Sequence, residues 1–172
     1  MPDDSPLIVT LSLDEASFQF FDNLHKQYFP PERNFLLAHL TLFHHLLPAK
    51  PKIKENLYKW SKEIEPLVLQ VVEIISIGKG VAYKIECEPL LQLHRIMQKE
   101  WQDWLQPQDK QKLWPHVTVQ NKVTPAKAKE TLEELKTTFK PFTAIGTGFS
   151  LWSYEGGPWE FIESFPFLIL LA

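Results

Sequence analysis

Two five-residue segments of this chain resemble each other, and the spacing between them constrains the fold more than any other feature. Residues 38–42 read Ala-His-Leu-Thr-Leu and residues 115–119 read Pro-His-Val-Thr-Val, so His39 and His116 lie 77 positions apart. The same spacing aligns Pro48, Ala49, Lys50, Lys52, Ser76, Gly80, Ile85 and Glu86 with Pro125, Ala126, Lys127, Lys129, Ser153, Gly157, Ile162 and Glu163. Several identities at one spacing indicate an ancestral duplication. We therefore predict a single two-lobed domain over residues 1–172, in which segment 39–86 is equivalent to segment 116–163.

Helix and strand signals follow the same order in both halves. A proline-opened helical stretch follows each histidine segment, and in the second copy Thr124 is a suitable N-cap with Pro125 in the first turn. Two β-rich stretches joined by glycines come next in each half. The predicted helices are 14–28, 51–64, 90–105 and 124–139, and the predicted strands, besides the histidine strands, are 7–13, 66–77, 81–87, 142–152 and 159–165. The order predicts an α+β class with a bilobal, pseudo-twofold fold, in which two mainly antiparallel sheets line a central cleft and the helices lie outside.

Composition and charge limit the partners. A net charge of −3 argues against a surface for long nucleic acid, so we expect no DNA duplex and a small or terminal phosphorylated substrate. Cys87 is the only cysteine, which excludes an intramolecular disulfide and a cysteine-based zinc site. The chain starts without a signal-peptide pattern, and the apolar stretch 165–171 is far shorter than the roughly 20 residues that span a bilayer. We expect a monomeric, cytoplasmic protein without membrane contact.

The two histidine strands each present a polar face. Because side chains alternate along a strand, His39 and Thr41 share one face while Leu40 points to the other. His116 and Thr118 share a face in the same way. Twofold symmetry would bring both pairs to one cleft.

Two imidazoles and two hydroxyls at one cleft suit the cleavage of a phosphodiester without a metal ion or cofactor. One imidazole removes a proton from the attacking oxygen and the other protonates the leaving oxygen, and the pKa of imidazole near 6.5 fits both tasks. Threonine hydroxyls can donate hydrogen bonds to the charge that develops on the phosphoryl oxygens. The internal symmetry leaves open which histidine has which role; we assign His116 as the base and His39 as the acid.

The segments His39-Leu40-Thr41-Leu42 and His116-Val117-Thr118-Val119 both match the motif His-apolar-Ser/Thr-apolar. The chain thereby resembles the two-histidine (2H) phosphoesterase superfamily, and in particular its 2′,5′-RNA ligase-like, cyclic phosphodiesterase branch. The resemblance covers nearly the whole chain. It implies a bilobal α+β fold and metal-free hydrolysis or transfer at 2′,3′-cyclic phosphates or 2′,5′-linked phosphodiesters of RNA ends or nucleotides. Some relatives carry Arg just after the second motif, whereas this chain has Gln120-Asn121-Lys122, which leaves the size and identity of the substrate open.

Further substrate contacts are expected around the motifs. Phe43 continues the face of His39, Gln120 continues that of His116, and Tyr83 and Trp114 are candidates for stacking on a base. His45 and Lys122 are equivalent under the 77-residue spacing and could hold phosphate. We expect Trp152 and Trp159, which flank the second hairpin, to belong to the core. We expect His44 to pack on the core side, and since adjacent strand residues point apart we expect no metal site among His39, His44 and His45.

Two other functions use the same residues. The cleft could hold a nucleotide or an RNA end without turnover, or it could run the chemistry in reverse and join RNA through a 2′,5′ linkage. Intact copies of both His-x-Thr units favour the hydrolytic enzyme over the binding module.

Overall fold

The computed structural model describes residues 4–33, 36–48 and 50–169, and within them seven strands, four α-helices and two 3-10 helices follow one another along the chain. The strands are β1 (Leu7–Leu13), β2 (Leu40–Leu46), β3 (Leu67–Ser76), β4 (Val81–Glu86), β5 (His116–Gln120), β6 (Phe142–Tyr154) and β7 (Trp159–Pro166). The α-helices are α1 (Glu15–Tyr28), α2 (Pro51–Ser61), α3 (Glu88–Glu100) and α4 (Pro125–Lys136), and short 3-10 helices cover Pro31–Arg33 and Pro107–Lys110.

All the strand pairs of the sheet are antiparallel, and the strand order is β2-β1-β6-β3-β4-β5, with β7 paired to β6. The predicted α+β class with antiparallel strands is confirmed. The two expected sheets are joined into one, because β6 is long enough to pair with β3 through its first half and with β1 and β7 through its second half. In the first lobe β1 pairs with the histidine strand β2, and in the second lobe β4 pairs with the histidine strand β5 in the equivalent position.

The sheet is curled. β2 and β5 stand at opposite ends of the strand order, yet residues of the two strands lie within 8 Å of each other between Cα atoms. The sheet therefore forms a half-barrel whose first and last strands approach, and these are the two strands that begin with the His-x-Thr units.

The helix ends follow the local sequence. Asp14 caps α1 by accepting the backbone N–H of Ser17, and its other oxygen accepts the N–H of Ile145, which ties the start of α1 to β6. Thr124 caps α4 as predicted, accepting the N–H of Lys127. Helix α3 ends at Glu100, five residues before the predicted end, and a turn that begins at the fully buried Trp101 follows it.

The last described residues, 167–169, follow β7 without regular secondary structure. Phe165 and Phe167 are buried, and the backbone N–H of Leu168 donates to the carbonyl of Ile64. Leu170 and Leu171, the last two residues of the apolar stretch 165–171, lie outside the described residues. Among the described residues no helix combines the length and the apolar character that crossing a membrane requires.

Candidate active site

The two His-x-Thr units present their polar side chains from facing strands. His39 immediately precedes β2 and His116 opens β5, and both rings are partly exposed, as are Thr41 and Thr118. The side chains between them, Leu40 and Val117, are fully buried. The predicted alternation is therefore present in both units.

The fold brings the two units together. Thr41 of the first and His116 of the second line one cavity of about 280 Å³. The charge of His116 is also among the smaller influences that lower the pKa of His39. The space between β2 and β5 is called the cleft below. His39 and Thr118 are not among the residues that line the cavity containing His116.

Both imidazoles are held in the same tautomer. His39 Nδ1 lies 2.8 Å from the carbonyl oxygen of Leu37, and His116 Nδ1 lies 2.7 Å from the carbonyl oxygen of Trp114. A carbonyl oxygen only accepts hydrogen bonds, so Nδ1 must carry the hydrogen in each ring. In the neutral imidazole this leaves the lone pair on Nε2, the nitrogen that can exchange a proton with a bound group.

Both imidazoles are neutral at pH 7. Burial lowers the pKa of His39 to about 4, with small contributions from His25, His44 and His116 and an opposing one from the Leu37 carbonyl. Burial also lowers the pKa of His116, again opposed by its carbonyl partner. A neutral imidazole is ready to accept a proton, whereas donation requires that one ring first be protonated.

An aromatic ring lies against each imidazole. The rings of Trp114 and His116 are stacked with centroids 4.0 Å apart, and those of Trp159 and His39 are tilted with centroids 4.4 Å apart. Trp114 therefore lies at the cleft, as predicted, and it is 40% exposed. Trp159 was expected in the core. Its position beside His39 follows from the pairing of β7 with β6, which no local signal in the sequence reveals.

Phe43 and Gln120 do not reach the cleft. The β1–β2 pairing shifts register between Thr41 and Phe43, and the β4–β5 pairing shifts between Thr118 and Gln120. Each shift is a β-bulge, which turns the next side chain away from the face of its predecessors. Phe43 is fully buried against His94, and Gln120 is 1% exposed and donates to Thr131 Oγ1. The prediction that these two side chains contact a substrate is wrong.

Tyr83 is also a core residue. It is 2% exposed and packs edge-on against Phe20, Phe21 and Phe139, and burial raises its pKa to about 12. Tyr83 is paired with the buried Val117, so it faces the helices and not the cleft. The predicted stacking role of Tyr83 is wrong, because its position along the strand points the side chain into the core.

The predicted phosphate contacts His45 and Lys122 lie apart from the cavity. His45 is exposed in a shallow pocket with Asp4 and Tyr154, and Lys122 is exposed in the turn after β5, where its φ is 64°. Neither lines the cavity that contains His116. The predicted phosphate contact of His45 and Lys122 finds no support in the lining of this cavity.

His44 occupies the place that His45 was expected to take. Its side chain is 44% exposed and lines the same cavity as Thr41 and His116, so the prediction that it packs in the core is wrong. The register shift after Thr41 is the cause, since it inverts the alternation as far as His44. A second register shift lies between Phe43 and Leu46, and His45 is exposed as well.

A buried carboxylate fixes this end of β2. Asp109, 3% exposed, accepts the backbone N–H groups of His44 and His45 at 2.9 Å, and one of its oxygens lies 3.2 Å from His44 Nδ1. Burial alone would raise the pKa of Asp109, but these hydrogen bonds outweigh it and lower the pKa. Sequence reasoning missed Asp109, which lies 65 positions from His44 and belongs to no motif.

Within the part of the chain that the structure describes, no group of three or more His, Cys, Asp or Glu side chains is arranged to hold a metal ion. Nucleophilic chemistry by the lone cysteine is equally unsupported, because Cys87 is buried and burial raises the pKa of its thiol.

Comparisons with known proteins agree with this architecture. The family model described as "2′-5′ RNA ligase superfamily" matches residues 13–158. No curated protein matches the sequence. Among solved structures, TT0787 of Thermus thermophilus is similar with a TM-score of 0.62 and 16% identity, covering 94% of this chain and 97% of that chain. E. coli LigT complexed with 3′-AMP is similar with a TM-score of 0.56 and 14% identity, covering 96% and 99%. E. coli LigT complexed with NADP+ gives a TM-score of 0.58 at 14% identity, covering 96% and 99%. At these identities the structural likeness shows the fold.

Proposed function

Because the chain belongs to the 2′-5′ RNA ligase superfamily, we propose that it is a metal-independent phosphodiesterase that hydrolyses 2′,3′-cyclic phosphates or 2′,5′-linked phosphodiesters of nucleotides or RNA ends. The predicted resemblance to the 2H phosphoesterases is confirmed by the family and the fold. The observation that carries the proposed activity is the matched state of His39 and His116, each with Nδ1 fixed on a carbonyl. In each histidine Nε2 is left for proton transfer, and a threonine lies two residues further along the same chain segment.

The proposed reaction moves two protons. A water oxygen attacks phosphorus while Nε2 of one histidine takes a proton from that water. The bond from phosphorus to the ribose oxygen breaks, and the second histidine gives its Nε2 proton to that oxygen. The hydroxyls of Thr41 and Thr118 donate hydrogen bonds to the phosphoryl oxygens as negative charge builds up there. The products are a phosphomonoester and a free hydroxyl.

The acid must acquire its proton when the substrate binds. Burial keeps His39, the proposed acid, neutral in the free protein at pH 7. A phosphate anion within hydrogen-bond distance favours the charged imidazolium and raises its pKa. Substrate binding is therefore coupled to proton uptake, which supplies the acid without placing a charged histidine in the empty cleft.

His44 is proposed as a third contact to the phosphate. It lines the cavity with Thr41 and His116, and the Asp109 carboxylate, which only accepts hydrogen bonds, holds its Nδ1–H. The nitrogen away from Asp109, Nε2, is then left for a ligand. This arrangement replaces the predicted contacts of His45 and Lys122.

The ligands of the neighbours support a nucleotide-sized substrate. The two LigT structures hold 3′-AMP and NADP+, both small phosphorylated nucleotides. A sequence identity of 14% supports a common fold but not a common ligand. We therefore extend this ligand class to the chain because of the arrangement of the histidines at the cleft.

The test is hydrolysis of 2′,3′-cyclic AMP by the purified protein in EDTA, followed by separation of the monophosphate product. We expect turnover, and a loss of about 10²-fold or more in kcat for His39→Ala and for His116→Ala, because each variant lacks one proton-transfer group. His45→Ala, whose side chain lies outside the cavity, is the matched control and should retain activity.

Four outcomes would contradict the proposal in different ways. Binding of the nucleotide without turnover would identify a binding module, and joining of RNA ends without hydrolysis would identify a ligase. Activity that EDTA abolishes would show that a metal ion takes part. Full activity of His39→Ala or of His116→Ala would remove that histidine from the mechanism.

A further inference from the structure

A groove of about 1210 Å³ adjoins the cleft along β3 and β4, and the first turn of α3 contributes to its lining. Lys112 and Trp114 line both this groove and the cavity that contains His116. Lys84, another lining residue, is paired with His116 across the β4–β5 ladder and so shares its face. The part of a substrate that extends from the phosphate on the His116 side must therefore enter this groove.

The groove has an apolar floor and an acidic rim. Its apolar lining includes Val68, which is 56% exposed, and the ring of Trp114. Its charged lining consists of four carboxylates and two ammonium groups, namely Glu63, Glu65, Glu86, Glu88, Lys84 and Lys112. The ion pairs found among the described residues include Glu88 but none of the other three carboxylates. The groove therefore presents negative charge next to the site proposed for a phosphate.

The lysine clusters of the sequence do not offset this charge. Lysines of α2 and α4 pair with carboxylates on neighbouring elements or on the same helix, as Lys52 does with Glu100, Lys54 with Glu163 and Lys127 with Glu130. None of the lysines of α2 or α4 lines the groove. A polynucleotide needs a track of cations that follows its backbone, and the groove supplies the opposite charge.

We propose that this groove receives the base of a single nucleotide and excludes a polynucleotide chain, so that the substrate is a mononucleotide-sized phosphodiester. This inference rests on the proposed function and narrows its substrate class. A base can stack on Trp114, and its exocyclic amino groups can donate to the carboxylates, which only accept hydrogen bonds. Each additional phosphate would bring a negative charge towards Glu65 and Glu86.

The experiment compares 2′,3′-cyclic AMP with a five-nucleotide oligoadenylate that ends in a 2′,3′-cyclic phosphate. At low salt we expect kcat/KM to be at least about tenfold higher for the mononucleotide, and the ratio to fall as salt is raised to about 0.5 M, because salt screens the repulsion. The variant Glu65→Gln/Glu86→Gln should raise kcat/KM for the oligonucleotide several-fold, since glutamine keeps an acceptor oxygen but removes the charge.

The matched control is Glu55→Gln/Glu133→Gln, which removes the same charge from exposed positions on α2 and α4 outside the groove. It should leave the ratio unchanged. A preference for the oligonucleotide, or a ratio that neither salt nor the groove variant changes, would overturn the inference.

If neither compound is hydrolysed, the proposed function fails and binding decides the inference separately. Tryptophan fluorescence would be titrated with 3′-AMP and with a pentanucleotide that carries a 3′-phosphate. The groove assignment is supported if 3′-AMP binds more tightly than the pentanucleotide and if Glu65→Gln/Glu86→Gln makes the two affinities equal. Tighter binding of the pentanucleotide, or a difference that the variant leaves intact, overturns it.

Discussion

At the scale of single residues, the proposed proton transfer depends on which ring nitrogen carries hydrogen. In both His39 and His116 the carbonyl two positions earlier in the chain fixes Nδ1. That acceptor belongs to the main chain, so the tautomer is a property of the backbone path into each strand and not of any neighbouring side chain. In both units the same type of backbone hydrogen bond thus selects the same tautomer.

His44 differs from the two motif histidines because a side chain orients it. Asp109 is buried, and three hydrogen bonds from the end of β2 converge on its two oxygens. Sequence alone could not link these residues, since Asp109 reaches β2 only when the 3-10 helix Pro107–Lys110 packs there.

We expect His44→Ala to raise KM for 2′,3′-cyclic AMP about tenfold while kcat changes by less than about threefold, because it removes a contact made equally to substrate and transition state. It should also lower the unfolding free energy by about 1–3 kcal/mol, since the buried Asp109 carboxylate loses the Nδ1–H donor of His44. Steady-state kinetics and urea unfolding measure the two quantities.

Asp109→Asn is the companion variant. An amide offers one acceptor oxygen where the carboxylate offered two, so a backbone N–H loses its partner and unfolding should become easier by about 1–3 kcal/mol. If the kinetic constants of His44→Ala equalled those of the wild type, His44 would not contact the phosphate.

At the scale of elements, the helix that leads into each histidine strand packs against the histidine strand of the other lobe. Helix α1, which leads into β2, packs against β5, and its Phe21 contacts Tyr83 of β4. Helix α3, which leads towards β5, reaches β2, where His94 Nε2 lies 2.9 Å from the carbonyl oxygen of Leu42 and its ring stacks on Phe43. This packing explains why Phe43 and Tyr83, both expected at the cleft, are buried beneath helices.

The turn between β3 and β4 supports β5 directly. A Cβ added at Gly80 would lie 1.8 Å from the carbonyl oxygen of Gln120 and 2.8 Å from Asn121 Cα, both backbone atoms of the chain that follows His116 and Thr118. Gly157, which the 77-residue spacing makes equivalent to Gly80, has no atom within 4 Å of an added Cβ.

We therefore predict that Gly80→Ala destabilises the protein by about 1–3 kcal/mol, as overpacking does, and lowers kcat/KM because β5 must shift. Gly157→Ala should change the unfolding free energy by less than about 1 kcal/mol. Thermal unfolding and hydrolysis assays of the two variants give the comparison. Equal behaviour of both would show that the close approach at Gly80 is relieved without moving β5.

At the scale of the whole molecule, the cleft exists because the sheet curls until β2 meets β5. Strand β6 runs through both lobes and connects them by hydrogen bonds. A ligand that bridges the two histidines therefore binds only the folded protein, and its binding free energy adds to the stability of the fold.

The pH dependence of this stabilisation follows from the histidines. Their pKa values are lowered in the free protein, that of His39 to about 4, and a bound anion raises them. Affinity for an anion must then increase as pH falls from the higher pKa of the complex towards the lower pKa of the free protein. Sulfate suits the test because it stays a dianion over this range.

We expect sulfate to raise the unfolding temperature more at pH 5 than at pH 8, measured by scanning calorimetry at matched ionic strength. The difference should shrink in His39→Ala and in His116→Ala and persist in His45→Ala. A sulfate effect that is equal at both pH values would indicate that the anion does not contact the two imidazoles.

The sequence by itself determined what depends on neighbours along the chain: the helix cap at Thr124, the alternation that exposes His39 and Thr41 and buries Leu40, and the identity of the two His-x-Thr units. The tertiary structure decided what depends on distant contacts. The bulges after Thr41 and Thr118 arise from pairing with β1 and β4, and they turned Phe43 and Gln120 inward and His44 outward. The curl of the sheet, the place of Trp159 beside His39 and the reach of Asp109 to β2 depend on packing between elements that are far apart in the chain, and no local pattern records such packing.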